Sequence, residues 1–487
     1  MNYVKRLNLK KRGVMKELCR VEELKKVQNS LKKCTMAWAM DKYLDQAWAR
    51  GLREKAAALH HEHYFATIPY YAKVCALAGV PGTGVSRHDM LRHCMLTDDI
   101  FKSYPQGYLD ACDFKGMNAW LSNICDRNIT FDTTGLGNAD QWMEVLASRG
   151  IHLVYSSGTS GNMSFVPRDQ GSWDMLVRVP FLYVPFLLAD RGLIPAWKLA
   201  LLRLLAKNLS PDALLALFFK VGLRDFDGFF LNFSGGNQGI QLVGQEIGKL
   251  CGSAHFLYQA NMSAAAVRAI VRGPKTPMEH DLAAGFLETT VRKKDENYER
   301  LIAAMKLSVK NKRKVLVFGA PFLLVEICRK MREKGLALRL KKGSGVVFGG
   351  GWKSFDGSRI SHDELLRLLG ETFGLAPNTI VEGYSMTEIN CLMMRCPQGR
   401  FHVPPHMEAV ILDAELAPMS GDDLYGVLGF LDPFADSYPG FLVTGDSVRL
   451  VNGPCACGRP GPAIIEVERT PGKEVKGCGG IMAKINA

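Results

Sequence analysis

No apolar run in this chain is long enough to cross a bilayer as a helix. The longest, Val179 to Ala189, has 11 residues and carries Pro180 and Pro185, where a span needs about 20. The N-terminus is basic but lacks the apolar stretch of a secretory signal. The 13 cysteines therefore read as thiols or metal ligands in a reducing cytoplasm rather than as a disulfide framework. No internal repeat, low-complexity tract or nucleic-acid-binding module occurs, which argues against solenoids, linkers and readers of DNA or RNA. The pattern G-x-x-x-x-G-K-[ST] is also missing, so a P-loop is excluded.

What is present is a globular balance, 47% hydrophobic and 22% charged over 487 residues. That supports two to four domains, or one large two-lobed domain with appendages. Charge is uneven. Residues 1–34 hold eleven Lys/Arg against three Glu, +8 of the formal +13, leaving +5 for the other 453. A solvated helical face explains such a segment, with an arm for an acidic partner or membrane surface as the alternative. Residues 1–85 keep helical spacing, and "GVPGTGVS" follows as a turn-rich linker. Beyond it, strand-like runs such as "RKVLVFGAP", "NTIVEGYSM" and "GFLVTGDSVRLV" alternate with helical segments. This predicts an α/β architecture whose later, shorter strands form a small antiparallel piece. The expected division is a helical basic extension over 1–85, an α/β domain over 86–450 and a short tail over 451–487.

Five strand candidates end in glycine and hydroxyl clusters: "YSSGTSG", "NFSGG", "VFGAP", "FGGG" and "GYSMTE". Ligands in open α/β sheets bind beyond the carboxyl ends of strands, so these ends predict one large crevice. In "YSSGTSGNMSFVPRD" (Tyr155 to Asp169) six consecutive small residues, Ser156 to Gly161, pack nothing. Backbone N–H groups and hydroxyls brought together by glycine make an anion cradle. A plain surface turn explains such a loop as well when it stands alone.

It does not stand alone. "SSGTSG", then "EGYSMTE", then "VTGD" resemble the ordered motifs of the adenylate-forming (acyl-AMP) superfamily. "IPYYAKVCALAGV", "MLTDDIFKSYP", "VFGAPFLLVEICRKM", "GGGWK" and "CACGRPGP" are similar to the phenylacetate–CoA ligase branch. They are closer still to acyl-protein synthetases of the bacterial bioluminescence fatty-acid reductase complex. The resemblance runs from about residue 60 onward. It implies a large adenylate-forming domain, mixed sheets sandwiched by helices with a small β-barrel-like part, lacking the usual mobile C-terminal domain.

The resemblance also implies roles. Ser156, Ser157, Gly158, Thr159, Ser160 and Gly161 would hold ATP phosphates. Gly350, Gly351 and Trp352 would lie along the adenine, with Tyr384 stacked on it and Ser385, Met386 and Arg469 beside the nucleotide. Thr387 would touch the α-phosphate, Glu388 would bind Mg²⁺ and Asp446 would accept from both ribose hydroxyls. A carboxylate attacking phosphorus brings two anions together, so N–H dipoles, Mg²⁺ and a cation must offset the repulsion. Two departures stand out. Ser385 replaces a usual glycine, and the phosphate loop ends with Ser164 where many acyl-CoA ligases carry lysine. Lys353, Arg168 and Lys476 are candidate substitutes for that cation.

"RCPQGRFH" and "CACG" supply Cys396, His402, Cys455 and Cys457, a donor set suited to tetrahedral Zn²⁺ in a structural role. Reduced, partly buried cysteines are the plainer alternative, and Cys391 and His406 are spare ligands. In the tail, Cys478 lies between glycines and near Lys473, Lys476 and Lys484, which favour a nucleophilic thiolate. Acyl-protein synthetases carry a cysteine there that receives the acyl group, so the resemblance implies a thioester at Cys478; an inconsequential tail thiol stays open. The expected protein activates a carboxylic acid, such as a fatty acid, as acyl-AMP and passes it to a thiol and then to a partner such as an acyl reductase. An acid–CoA ligase and an inactive nucleotide-binding scaffold are the alternatives. The apolar region 174–222 reads as the lining of a long acyl pocket or as buried helices.

Overall fold

The computed structural model describes residues 2–157, 162–352 and 359–471, with side chains for 17–156, 162–352 and 359–471. The chain begins with helix α1 (Asn2–Asp41), followed by α2 (Gln46–Thr67), α3 (Pro69–Leu77) and α4 (Arg87–His93). Along α1, Leu24, Val27, Leu31, Cys34 and Trp38 are buried. Their alternating spacing of three and four puts one apolar stripe on the protein and leaves the charged face outward. Asp45 starts α2 by accepting from the Trp48 N–H at 3.0 Å, and Pro69 starts α3 at a position that needs no donor.

The strands begin with β1 (Leu96–Thr97) and the hairpin β2 (His152–Ser157) and β3 (Met163–Arg168). Next come β4 (Leu223–Gly235), β5 (Cys251–Asn261), β6 (Lys314–Gly319), β7 (Gly345–Gly349), β8 (Ile380–Tyr384) and β9 (Met393–Met394). The last five are β10 (Phe401–His402), β11 (Glu408–Leu412), β12 (Asp423–Leu431), β13 (Phe441–Asn452) and β14 (Pro462–Arg469). One sheet has the order β5-β4-β6-β7-β8-β9, parallel except for β9. Its continuous apolar strands follow from burial on both faces. Val315, Val317, Val346 and Phe348 enter one core, while Leu316, Phe318 and Val347 enter the other.

The second sheet runs β10-β14-β13-β12-β11, antiparallel, with β1 parallel to β13. It is open, because its end strands β10 and β11 do not pair with each other. The expected boundary at 450 falls within β13, and β14 continues the same sheet, so residues 451–469 are integral to it. Likewise, α1 and α2 are built into the cores: Gln28 donates to Pro433 O at 2.9 Å, and Tyr64 and Trp38 are fully buried. No helix among the described residues is long and apolar enough to cross a membrane. No disulfide joins the twelve described cysteines.

The apolar region after β3 folds as short helices, and one differs from both expectations. Helix Ala196–Asn208 has no buried residue, and Trp197, Leu201 and Leu204 face outward. Leu199, Leu202 and Leu205 on its other face pack half-buried against the core that holds Leu31 and Trp38, so the helix lies on the surface with one apolar face outward.

Two buried histidines join α1 and α2 to the rest. His60 Nε2 donates to Pro433 O at 3.0 Å, and His406 lies between Thr35 Oγ1 at 3.1 Å and Asn390 O at 3.3 Å. Burial holds His60 down to about 3 and His406 down to about 4, with the nearby His63 and Arg20, and Arg53, pushing the same way. A depressed histidine pKa leaves stability intact above the unfolded value of ~6.5 and removes it as pH falls toward the folded value. Urea unfolding at pH 5 should therefore show a loss of about 2 kcal/mol per histidine relative to pH 7.5. His406→Gln should flatten that slope; an unchanged slope would refute the assignment.

Candidate active site

Four of the five glycine-rich strand ends, those of β4, β6, β7 and β8, lie side by side at the carboxyl edge of the parallel sheet. The fifth, β2, abuts the turn after β4: the Tyr155 N–H donates to Asn237 O at 3.0 Å. The glycine-rich ends singled out in the sequence thus share one edge of the fold. After β7 the chain turns through Gly350 and Gly351 with φ of 86° and 62°, a left-handed conformation that favours glycine. Trp352 follows, half-buried against the apolar core of that sheet.

Asp446 in β13 sits opposite Arg469 in β14, and Arg469 Nη1 donates to Asp446 Oδ1 at 2.8 Å. Tyr384, the last residue of β8, donates through its hydroxyl to Asp446 Oδ2, also at 2.8 Å. Burial first, then Asp446 and more weakly Glu388, lift the Tyr384 phenol well above its ordinary value, so it stays a donor. One carboxylate is thereby held by a cation from one side and a phenol from the other. Each oxygen keeps a second lone pair, which suits acceptance from a vicinal diol. Gly445 leaves Arg469 its place beside the carboxylate, because a Cβ there would come within 2.7 Å of the guanidinium and push it aside.

Thr387 and Glu388 are buried on the turn after β8. Two donors hold their backbone carbonyls, and a third bond fixes Asn390 just beyond them. Arg168 Nη2 donates to Thr387 O at 2.7 Å, Tyr438 Oη donates to Glu388 O at 3.0 Å, and Arg168 Nη1 donates to Asn390 Oδ1 at 2.6 Å. Asn390 in turn donates through its backbone N–H and its amide to Asp432 Oδ2 at 2.7 and 3.0 Å. Burial raises the Asp432 pKa despite these donors. Sequence reasoning missed this network; the turn-rich "DPFADSYPG" holding Asp432 and Tyr438 was its only trace.

The structure also corrects an expectation about charge. Arg168 is not a cation facing phosphate: it is fully buried at the end of β3 and its fork is spent on the turn just described. Ser164 and Ser156 are buried and face each other across β2 and β3. The Ser385 hydroxyl donates to Cys391 O at 2.7 Å. Met386 packs against the core of the antiparallel sheet. The side chain of Ser157 and residues Gly158, Thr159, Ser160, Gly161, Lys353, Lys476 and Cys478 lie outside the described residues.

The sulfur cluster assembles from two loops. Cys396 precedes β10 and His402 ends it, while Cys455 and Cys457 lie in the turn between β13 and β14. The four ligand atoms lie within 4.8 Å of one another. Cys396 and Cys455 sulfurs are 3.9 Å apart and His402 Nε2 is 3.2 Å from Cys457 Sγ. Tetrahedral Zn–S bonds of about 2.3 Å give an S···S edge of roughly 3.8 Å, so the donor set fits zinc. Burial, then Arg459, Arg400 and Lys42, hold His402 down to about 4, leaving the neutral ring that ligation needs. The spare candidates Cys391 and His406 lie outside this cluster; His406 serves Thr35 and Asn390 instead.

The cluster loop is bound to the end of α1. Trp38 Nε1 donates to Pro460 O at 2.8 Å, and Lys42 Nζ donates to Cys457 O at 2.8 Å. Arg459 lies over the Trp38 ring and donates to Trp38 O at 2.6 Å, to Ala39 O at 3.2 Å and to Asp190 at 2.7 Å. Arg203 donates to Met40 O at 3.0 Å. Two guanidinium groups thus cap the carbonyls that a helix C-terminus leaves without partners.

Residues 290–486 match the family described as "Acyl-protein synthetase, LuxE". The resemblance read from the sequence is borne out over that segment, which holds the Tyr384 and Asp446 motifs and the sulfur cluster but not the loop after β2. A long-chain-fatty-acid–luciferin-component ligase of Vibrio harveyi is 30% identical over 192 residues, 39% of this chain and 50% of that protein. Its counterpart in Aliivibrio fischeri is 28% identical over 201 residues, 41% of this chain and 53% of the relative. The matches thus span about half the length of these relatives. Among solved structures, 2-hydroxyisobutyryl-CoA ligase in complex with 2-HIB-AMP and CoA aligns with a TM-score of 0.47 at 12% identity. That alignment covers 86% of this chain and 69% of the ligase. ATP-bound MatB from Rhodopseudomonas palustris aligns at 0.34 and 12%, over 65% and 48% of the two chains.

Proposed function

We propose that this protein uses ATP to convert a carboxylic acid, a long-chain fatty acid by analogy with its relatives, into acyl-AMP, and then transfers the acyl group to a thiol. The observation that carries the reading is the Asp446 carboxylate held between Tyr384 and Arg469 at the crevice edge, inside the segment that matches acyl-protein synthetases.

In the first half-reaction a substrate carboxylate oxygen forms a bond to the α-phosphorus. The bond from that phosphorus to the bridging oxygen breaks, and pyrophosphate leaves with the electron pair. Asp446 accepts from the ribose hydroxyls and fixes the α-phosphorus relative to the incoming acid. Tyr384 offers its ring to the adenine, and the backbone through Gly350 and Gly351 leaves room for the base edge. Thr387 serves the α-phosphate, and Arg168 holds that turn in place through Thr387 O and Asn390. Glu388, a hard-oxygen donor whose backbone is pinned by Tyr438, would hold Mg²⁺, which supplies neutralisation of the phosphate charge. In the second half-reaction a thiolate attacks the acyl carbonyl carbon, the C–O bond to phosphate breaks and AMP leaves. Cys478 is the proposed thiol and a cytoplasmic acyl reductase the proposed onward acceptor. Cys396, His402, Cys455 and Cys457 would hold a structural Zn²⁺, with all four positions filled by protein.

The test is pyrophosphate release from ATP with a panel of fatty, aryl and amino acids, followed by trapping of labelled acid on the full-length protein without CoA. Long-chain fatty acids should drive release, and wild-type protein should retain label that Cys478→Ser loses. Silence across the panel would leave only a nucleotide-binding scaffold. Equal label on both proteins would remove Cys478 from the transfer, and a product requiring CoA would make the enzyme an acid–CoA ligase.

A further inference from the structure

A second cluster of soft donors lies in the N-terminal helices, away from the crevice. His61 is on α2, Tyr71 and Cys75 are on α3, and Cys94 closes the end of α4. All four are buried, at 1% exposure or less. The ligand atoms of His61, Cys75 and Cys94 lie within 4.8 Å of one another. The two sulfurs are 3.4 Å apart, well beyond a disulfide bond of about 2.05 Å and near the roughly 3.8 Å edge of a thiolate-bound zinc tetrahedron.

The histidine is preset for ligation. Its Nε2 lies 2.8 Å from the Pro81 carbonyl, which can only accept, so Nε2 carries the proton. The Nδ1 lone pair therefore points inward, where the Tyr71 hydroxyl meets it at 2.8 Å. A metal-bound imidazole needs this arrangement: one nitrogen donating to a backbone carbonyl, the other presenting its lone pair to the ion. The Tyr71 hydroxyl also interacts with both thiols, so it stands where a fourth donor would.

We propose that His61 Nδ1, Cys75 Sγ and Cys94 Sγ, with the Tyr71 hydroxyl as fourth donor, form a second structural Zn²⁺ site. Charge selects the ion. Two thiolates, a neutral imidazole and a neutral phenol balance Zn²⁺ to zero, whereas Cu⁺ would leave a net negative charge in an apolar core. Loading releases two thiol protons, and the ion ties α2, α3 and α4 together just before β1 enters the antiparallel sheet. The spacing of these residues in the chain, His61 to Cys75 to Cys94, matches no familiar zinc pattern.

The test uses the full-length chain, purified under reducing conditions, exposed to Zn²⁺ alone and freed of excess. Wild type should carry about two Zn²⁺ per chain, and Cys455→Ser/Cys457→Ser and Cys75→Ser/Cys94→Ser should each carry about one. Wild type with one Zn²⁺ that persists in Cys75→Ser/Cys94→Ser would overturn the proposal. A zinc-free chain in which mass spectrometry finds Cys75 bonded to Cys94 would do the same. Should the serine variants fail to fold, ¹¹³Cd NMR of substituted wild type gives the answer without them. Two resonances, one from a three-sulfur and one from a two-sulfur environment, support the site; a lone three-sulfur resonance refutes it.

Discussion

Asp446→Ala is expected to lower acid-dependent pyrophosphate release by about two to four decades in kcat/KM for ATP. The carboxylate would accept two charge-assisted hydrogen bonds from ribose, each worth about 1.5–3 kcal/mol. Each 1.36 kcal/mol or so is tenfold in rate. The loss should exceed that of Tyr384→Phe, which keeps the ring and removes only the donor 2.8 Å from Asp446 Oδ2. Asp446→Asn separates shape from charge. It keeps one acceptor oxygen but leaves Arg469 without its counter-charge, so it should fall between wild type and alanine. Both variants should also lose some stability, because the Asp446–Arg469 pair is largely buried and its loss leaves a cation and, in the alanine variant, the Tyr384 hydroxyl without their acceptor; the kinetics are therefore read on folded protein. Unchanged kinetics in Asp446→Ala would sink the nucleotide assignment.

The Cys455→Ser/Cys457→Ser double variant should lose one equivalent of zinc and roughly 3–5 kcal/mol of stability in urea unfolding. Two of the four donors disappear, and neither hydroxyl is a competent thiolate substitute. The turn between β13 and β14 then keeps only the β10–β14 pairing and its bonds to α1 to hold it against His402 and Cys396. Arg459 and the Cys457 carbonyl, which reach α1 from that turn, lose their fixed placement as well. Chelation of wild type should reproduce the destabilisation, and readdition of Zn²⁺ should reverse it only where the cysteines remain. Equal zinc content and equal urea midpoints in wild type and variant would remove the metal from this cluster.

Much of this site was legible because its chemistry demands distinctive residues at strand ends. Glycine and hydroxyl clusters after apolar runs marked strand ends that do share one edge, since neighbouring strands of a parallel sheet end on the same side. The sulfur cluster was legible because cysteine and histidine are scarce and their types restrict the ion. What escaped was carried by residues whose type is common and whose role depends on burial. Arg168 looked like a free cation because sequence does not reveal whether a guanidinium faces solvent or a turn of backbone. Asp432 and Asn390 belong to none of the motifs that were read, yet their contacts fix the turn carrying Thr387 and Glu388. His61, Cys75 and Cys94 escaped because helix packing, not chain spacing, brings them together. The helix from Ala196 to Asn208 escaped in the opposite sense: its leucines signalled burial, but no element packs over Trp197, Leu201 and Leu204 among the described residues.

The capping of α1 by Arg459 spans 421 positions of sequence. During synthesis at about 5–20 residues per second, the ribosome would need roughly 20 to 80 s to travel from the end of this helix to the arginine that terminates it. Through that interval Leu24, Val27, Leu31 and Trp38 can already meet α2 and the apolar residues between Val179 and Leu214 that share their core, but the last carbonyls of the helix lack the arginine that caps them. The nascent chain thus carries α1 with an unfinished C-terminus for most of its time on the ribosome. Closing that end belongs among the last events of maturation.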